Sequence, residues 1–146
     1  MTTKNHDNVR RGRYARSKGI RYERKIANLF RDAGFHCERV LEYDGLHTGC
    51  DLLIGRIGPD HDETHEEYKI RILPVAIQVK NTATPVESAE AGHEQAKKGW
   101  PTAEVHACVH NDDHKPKVLW SVTGEPWREW CPFSLFIHSM KTRYGI

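Results

Sequence analysis

The sequence predicts an α/β fold, a single domain in which helices pack on a central mixed β-sheet. Three observations carry that expectation. Apolar residues recur at helical spacing near the start, the middle and the end of the chain. Extended runs rich in Val, Ile and Leu lie between those segments. With 146 residues the chain has the length of one compact domain with a real core. The expected order is αβββαββα, with no repeat, linker or second domain.

Residues 1–16 read as a flexible basic arm and 17–146 as the folded domain. Ser17 is placed to cap a helix from Lys18 to Ala33, and Gly34 to end it. Ile20, Ile26, Ala27, Phe30 and Ala33 form its apolar stripe. Glu23 falls on the same side, where a lone carboxylate is costly unless it is paired or binds a metal. Phe35 to Glu42 and Cys50 to Ile57 read as strands. Tyr68 to Leu73 and Val75 to Lys80 make the next extended run, with a bend or edge position at Pro74. Thr84-Pro85-Val86-Glu87 offers a cap, a first-turn proline and a capping-box glutamate for a helix that reaches about Lys98 and stops at Gly99. Thr102 to His110 and Lys117 to Val122 alternate as strands across the turn "NDDHKP". Phe133, Phe136, Ile137, Met140 and Tyr144 define an amphipathic C-terminal helix. The aromatic cluster Trp127, Trp130, Phe133 and Phe136 reads as core or as a subunit contact rather than as a base-stacking platform.

Composition excludes several classes. No apolar run approaches the ~20 residues of a membrane span. The polar, basic N-terminus lacks the apolar stretch of a secretory signal. Cys37, Cys50, Cys108 and Cys131 are widely spaced, which suits reduced thiols in a cytosolic setting. His36-Cys37, and His47 with Cys50, have no matching second half, which argues against structural zinc. His61, His65, His110 and His114 read as solvent-exposed loop residues, and His47, Thr48, His93 and Gln95 receive no role.

The net charge of +2 hides an asymmetry: residues 1–31 hold ten Lys/Arg against two acids, and the remainder holds twelve bases against eighteen acids. A basic arm running into a helix suggests a polyanion partner, most simply nucleic acid. Arg10, Arg11, Arg13, Arg16, Lys18, Arg21, Arg24 and Lys25 are the expected phosphate contacts. A solvated tail without a specific partner is the bland alternative.

The candidate chemistry lies in "TGCDLLIG", residues 48–55, and "AIQVKN", residues 76–81. Alternation along a strand puts Gln78 and Lys80 on one face and Ile77 and Val79 on the other. If the Asp51 strand pairs alongside, Asp51, Gln78 and Lys80 converge, and the inward face of the first helix adds Glu23. Glu23 and Asp51 supply two charges and hard oxygen ligands suited to Mg²⁺ or Mn²⁺. The Gln78 amide oxygen and the Val79 carbonyl complete the protein's share of the shell. Lys80 orients or activates the attacking water, or neutralises charge on a pentavalent phosphate. Taken singly, each of these residues has an ordinary reading as a strand-end or helix-surface polar group; their combination favours the site.

A helix glutamate, "GCDLLIG", an apolar strand ending in "QVKN" and a second helix together resemble the PD-(D/E)XK nuclease superfamily in its QxK variant, with Gln78 at the position of the usual second acid. The opening "SKGIRYERKIANLFRDAGFHCERV" is similar to the start of archaeal-type and phage Holliday junction resolvases. The resemblance spans about Arg16 to Lys98. It implies a restriction-endonuclease-like fold, with Glu23, Asp51, Gln78 and Lys80 as the catalytic set and Glu23, Asp51, Gln78 and Val79 around Mg²⁺ or Mn²⁺. It also implies a homodimer that resolves four-way DNA junctions in recombination and repair, in the cytoplasm of a prokaryotic or phage-infected cell. Two alternatives stay open: a DNA-binding module that keeps the scaffold without cleaving, and a restriction or repair endonuclease acting on duplex DNA.

Overall fold

The computed structural model describes residues 18–40, 50–59, 68–82 and 84–146. The N-terminal arm with Arg10, Arg11, Arg13 and Arg16, the Ser17 cap, and His47, Thr48, His61 and His65 all lie outside these residues. The described residues form helix α1 (18–32), strands β1 (His36–Arg39), β2 (Leu52–Pro59), β3 (Tyr68–Ile72) and β4 (Val75–Lys80), and helix α2 (Pro85–Gly99). Strands β5 (Val105–Asp112), β6 (Lys115–Val122) and β7 (Arg128–Pro132) and helix α3 (Phe133–Tyr144) follow. None of the described helices is long and apolar enough to cross a membrane.

α1 turns its Tyr22, Ile26, Ala27 and Phe30 face inward, with Leu29 and Ala33 alongside. Ile20, expected in this stripe, is instead 39% exposed, because the buried arc runs through Tyr22, one helical turn before Ile26. The helix closes with the Gly34 N–H donating to the Arg31 carbonyl and the Phe35 N–H to the Phe30 carbonyl, while Gly34 takes φ +101°. That bond pair is a Schellman motif, and it needs a residue at ease in the left-handed region.

The sheet has seven strands in the order β1-β2-β4-β5-β6-β7, with β3 also paired to β2. Only β4 and β5 run parallel, joined by the right length of crossover through α2; the other pairings are antiparallel. The expected single run of residues 68–80 is two strands against the same strand. Gly55 pairs with Ile72, but Leu52 pairs with Ile77, so two extra residues bulge out of the β3–β4 side. Pro74 causes the break, since it cannot donate to the ladder. A second correction is β7, absent from the expected order. Its five residues, REWCP, merge in sequence with the aromatic start of α3. The turn at "NDDHKP" is shorter than expected, with Asp113 and His114 both at positive φ as in a two-residue type I′ hairpin loop. α2 starts at Pro85 as expected, but Thr84 makes no side-chain cap, so the capping box is not formed.

The sheet has two unlike faces. α1 and α3 cover one with a thick core in which Phe30 meets Phe35, Phe133 and Phe136 edge-on, at centroid distances of 5.9, 5.1 and 6.4 Å. α2 covers the other through small residues, Ala89 and Ala96 against Ala76, Cys108 and Leu119. Phe133 and Phe136 are thus core, whereas Trp127 is 40% exposed and leans edge-on against Trp120. Truncating Phe30 to Ala removes the centre of the thick core and should cost about 3–5 kcal/mol in urea unfolding. Val86→Ala, on the exposed side of α2, should stay within about 0.5 kcal/mol of wild type.

Candidate functional site

The site forms where β2 and β4 part. Their pairing ends at Leu52 and Ile77, and the Asp51 N–H still donates to the Ile77 carbonyl at 2.7 Å. Beyond that point the Asp51 side chain takes over: Val79 N–H donates to Asp51 Oδ2 at 2.8 Å. On its other side the Asp51 carbonyl accepts the Val40 N–H at 2.9 Å. One residue therefore ties the end of β2 to both neighbouring strands.

Glu23 arrives from α1. Arg39, the last residue of β1, donates from Nε (3.1 Å) and from its terminal nitrogen (2.9 Å) to the same oxygen, Glu23 Oε2. Both side chains are about three-quarters buried, so this pair is screened less than a surface ion pair. Burial pushes the Asp51 carboxyl up to about 6; the Val79 amide opposes the rise, Glu23 adds to it, and Lys80 and Arg39 oppose it. Glu23, Asp51, Lys80 and Arg39 thus share one field, two negative groups against two positive ones.

Gln78 and Lys80 lie on the α2 side of β4, and Ile77 and Val79 lie in the core beneath α1 and α3, as alternation requires. Gln78 is buried and sits beside Cys108 in the β4–β5 ladder; Lys80, half-buried, sits beside His110. Glu23 approaches from the opposite face of the sheet, and Asp51 at the strand end is what links the two faces. Lys18, Arg21, Arg24 and Lys25 are exposed along the outer side of α1, next to Glu23.

Asp51 and Glu23 carry the hard oxygen ligands that a divalent cation such as Mg²⁺ takes. One oxygen of each carboxylate is held, Asp51 Oδ2 by the Val79 N–H and Glu23 Oε2 by Arg39. No group of three His, Cys, Asp or Glu side chains gathers among the described residues, so the rest of such a shell falls to amide and carbonyl oxygens and water.

Arg39 is the residue that the choice of site residues left out. Its signal was available, an arginine in the strand that follows the helix glutamate. The histidines need correction too. His110 is fully buried rather than exposed, with Nε2 facing the Thr82 hydroxyl at 3.3 Å. His93 is buried against β6, 2.7 Å from the Ser121 hydroxyl, and Gln95 is exposed. His114 is exposed as expected. All four cysteines are free and buried.

The carboxyl of Asp51 rises from an ordinary value near 4 in the unfolded chain to about 6 in the fold. Between those values the native state holds a proton that the unfolded chain has released, so this group lowers stability as pH increases. Asn at this position keeps an acceptor for the Val79 N–H without the charge. In metal-free buffer Asp51→Asn should exceed wild type by roughly 1–3 kcal/mol at pH 7, with the gap closing below about pH 4. A gap that does not change with pH in denaturant titrations would contradict the assigned burial cost.

No protein-family model matches this chain, and no curated protein matches its sequence.

Proposed function

We propose that the protein is a Mg²⁺- or Mn²⁺-dependent endodeoxyribonuclease of the PD-(D/E)XK type, cutting branched DNA as a homodimeric Holliday junction resolvase. The observation that carries the reading is Asp51 at the parting of β2 and β4, with Glu23 and Lys80 in its field. A strand-end carboxylate coupled to a helix carboxylate and a strand lysine supplies the group types that metal-assisted hydrolysis of a phosphodiester uses.

Asp51 and Glu23, with the Gln78 amide oxygen and the Val79 carbonyl, would hold the cation. Bound there, it supplies Lewis-acid polarisation of the scissile phosphate and a more acidic water. Arg39 fixes one of Glu23's oxygens with two charge-assisted hydrogen bonds. Lys80 orients the attacking water or offsets charge that grows on the phosphate. The exposed bases of α1, continued by the N-terminal arm, bind the phosphate backbone, so recognition follows junction shape more than base sequence. Paired incisions require two sites, which a twofold dimer provides.

A second reading has a specific observation behind it. The Asp51–Val79 and Glu23–Arg39 bonds also make sense as plain architecture, and Gln78 brings no charge. On that reading the chain binds DNA without cutting it.

The deciding experiment compares wild type, Asp51→Ala and Lys80→Ala on a labelled four-way junction, a linear duplex and a flap, with Mg²⁺ and with Mn²⁺. The expected outcome is junction cleavage by wild type and a loss of about 10²-fold or more in each variant. Binding without cutting under both cations would sink the enzyme reading. Equal cutting of duplex and junction would remove the resolvase assignment and leave a duplex endonuclease. Junction affinity should fall steeply with salt, and Arg24→Ala or Lys25→Ala should each make the log–log slope shallower by about 1 if the residue meets a phosphate.

A further inference from the structure

α2 contains a glycine where its own stability favours another residue. Gly92 lies in mid-helix, where glycine is the poorest choice after proline. Its surroundings explain it. A Cβ built on Gly92 would overlap Cys108 Sγ, and would stand 3.2 Å from Cys108 Cβ and 3.3 Å from Lys80 Cγ. Ala89 and Ala96 flank it on the same side of the helix, and the helix rests against the β4–β5 ladder at a separation that no side chain at 92 permits. The stem of Lys80 runs along this glycine, and its ammonium group acts on Asp51 beyond the strand end.

We propose that Gly92 is a positioning residue for Lys80: the bare helix backbone is the wall that sets the direction in which the lysine leaves β4. This rests on the reading of Lys80 as the residue that serves the scissile phosphate. A lysine stem has many rotamers, and a wall on one side of Cγ removes part of them. A methyl group at 92 would push Cγ by a few tenths of an ångström at least and divert the far end of the chain by more. Displacements of that order are costly in a site that depends on orientation. The rival explanation is purely architectural, namely that Gly92 only makes room for the buried Cys108 thiol.

The two contacts can be separated. Cys108→Ala removes the sulfur and leaves Lys80 untouched, and Cys108→Gly removes the Cβ as well, so Gly92→Ala combined with Cys108→Ala, and checked with Cys108→Gly, relieves the overlap at 108 but keeps the crowding of Lys80. The double variant should unfold within a few degrees of wild type, yet cut the junction at least tenfold more slowly with KM changed less than twofold. Cys108→Ala alone should cut at the wild-type rate. A double variant that cuts as fast as wild type overturns the proposal in favour of the architectural explanation. A readout independent of cleavage is the NMR signal of ¹³C-dimethylated Lys80, assigned with Lys80→Arg. It should move in Gly92→Ala and in the double variant and stay in place in Cys108→Ala. An unmoved signal in the double variant overturns the positioning role whether or not the protein cuts DNA. A moved signal in a protein that cuts nothing leaves the positioning role standing and removes the nuclease reading.

Discussion

The hydrogen bond from the Val79 amide to Asp51 Oδ2 is the contact on which the site depends. A sheet strand normally offers its neighbour a carbonyl; here β2 has stopped pairing, and a carboxylate offers the acceptor instead. A buried amide without an acceptor is costly, and so is a buried carboxylate without donors. Each removes part of the other's penalty. The residue left over from that exchange is a carboxylate with one engaged oxygen at the point where the pairing of two strands ends. The same bond therefore serves the fold and fixes the carboxylate on which the proposed chemistry rests.

The unequal faces of the sheet follow a division of labour. Aromatic side chains under α1 and α3 pack edge-on at the centre of the larger cluster, and they anchor α1 so that Glu23 reaches Arg39 at the end of β1. On the α2 side, alanines, a glycine and a thiol let the helix approach closely, at the expense of apolar burial. The thick face packs aromatic and aliphatic side chains, and the thin face packs backbone close to backbone. Histidines fill the polar needs of the thin face: His93 bonds to Ser121, His106 to the Trp100 carbonyl, and His110 to Thr82.

Much of this was legible in the chain and some was not, for identifiable reasons. Helix faces and strand alternation are local properties, so α1, α2, α3 and the split of Gln78 and Lys80 from Ile77 and Val79 could be read directly. Pro74 announced a break in residues 68–80 but not that both halves would pair with β2, because register depends on the partner strand. β7 was hidden because Trp130 and Cys131 fit a helical aromatic pattern as well as a strand. His110 was misjudged because "HND" looks like the start of a turn, while the hairpin is tighter and draws that histidine inside. The Glu23–Arg39 pair was beyond reach as geometry, since sixteen residues of sequence say nothing about which oxygen accepts.

Gln78 then has an electrostatic reason. Glu23 and Asp51 bring two carboxylates, Arg39 and Lys80 two cationic side chains, and the formal charges of the group balance. Asp51 is already pushed up to about 6, with burial the main cause and Glu23 a contributor. Gln78 is buried at 6% exposure. A carboxylate there would add a third negative charge in the same low-dielectric region, drive Asp51 further toward its protonated form and leave the site short of a counter-charge. An amide keeps a hard oxygen at that position without the charge. A neutral side chain at this position therefore spares Asp51 a further rise.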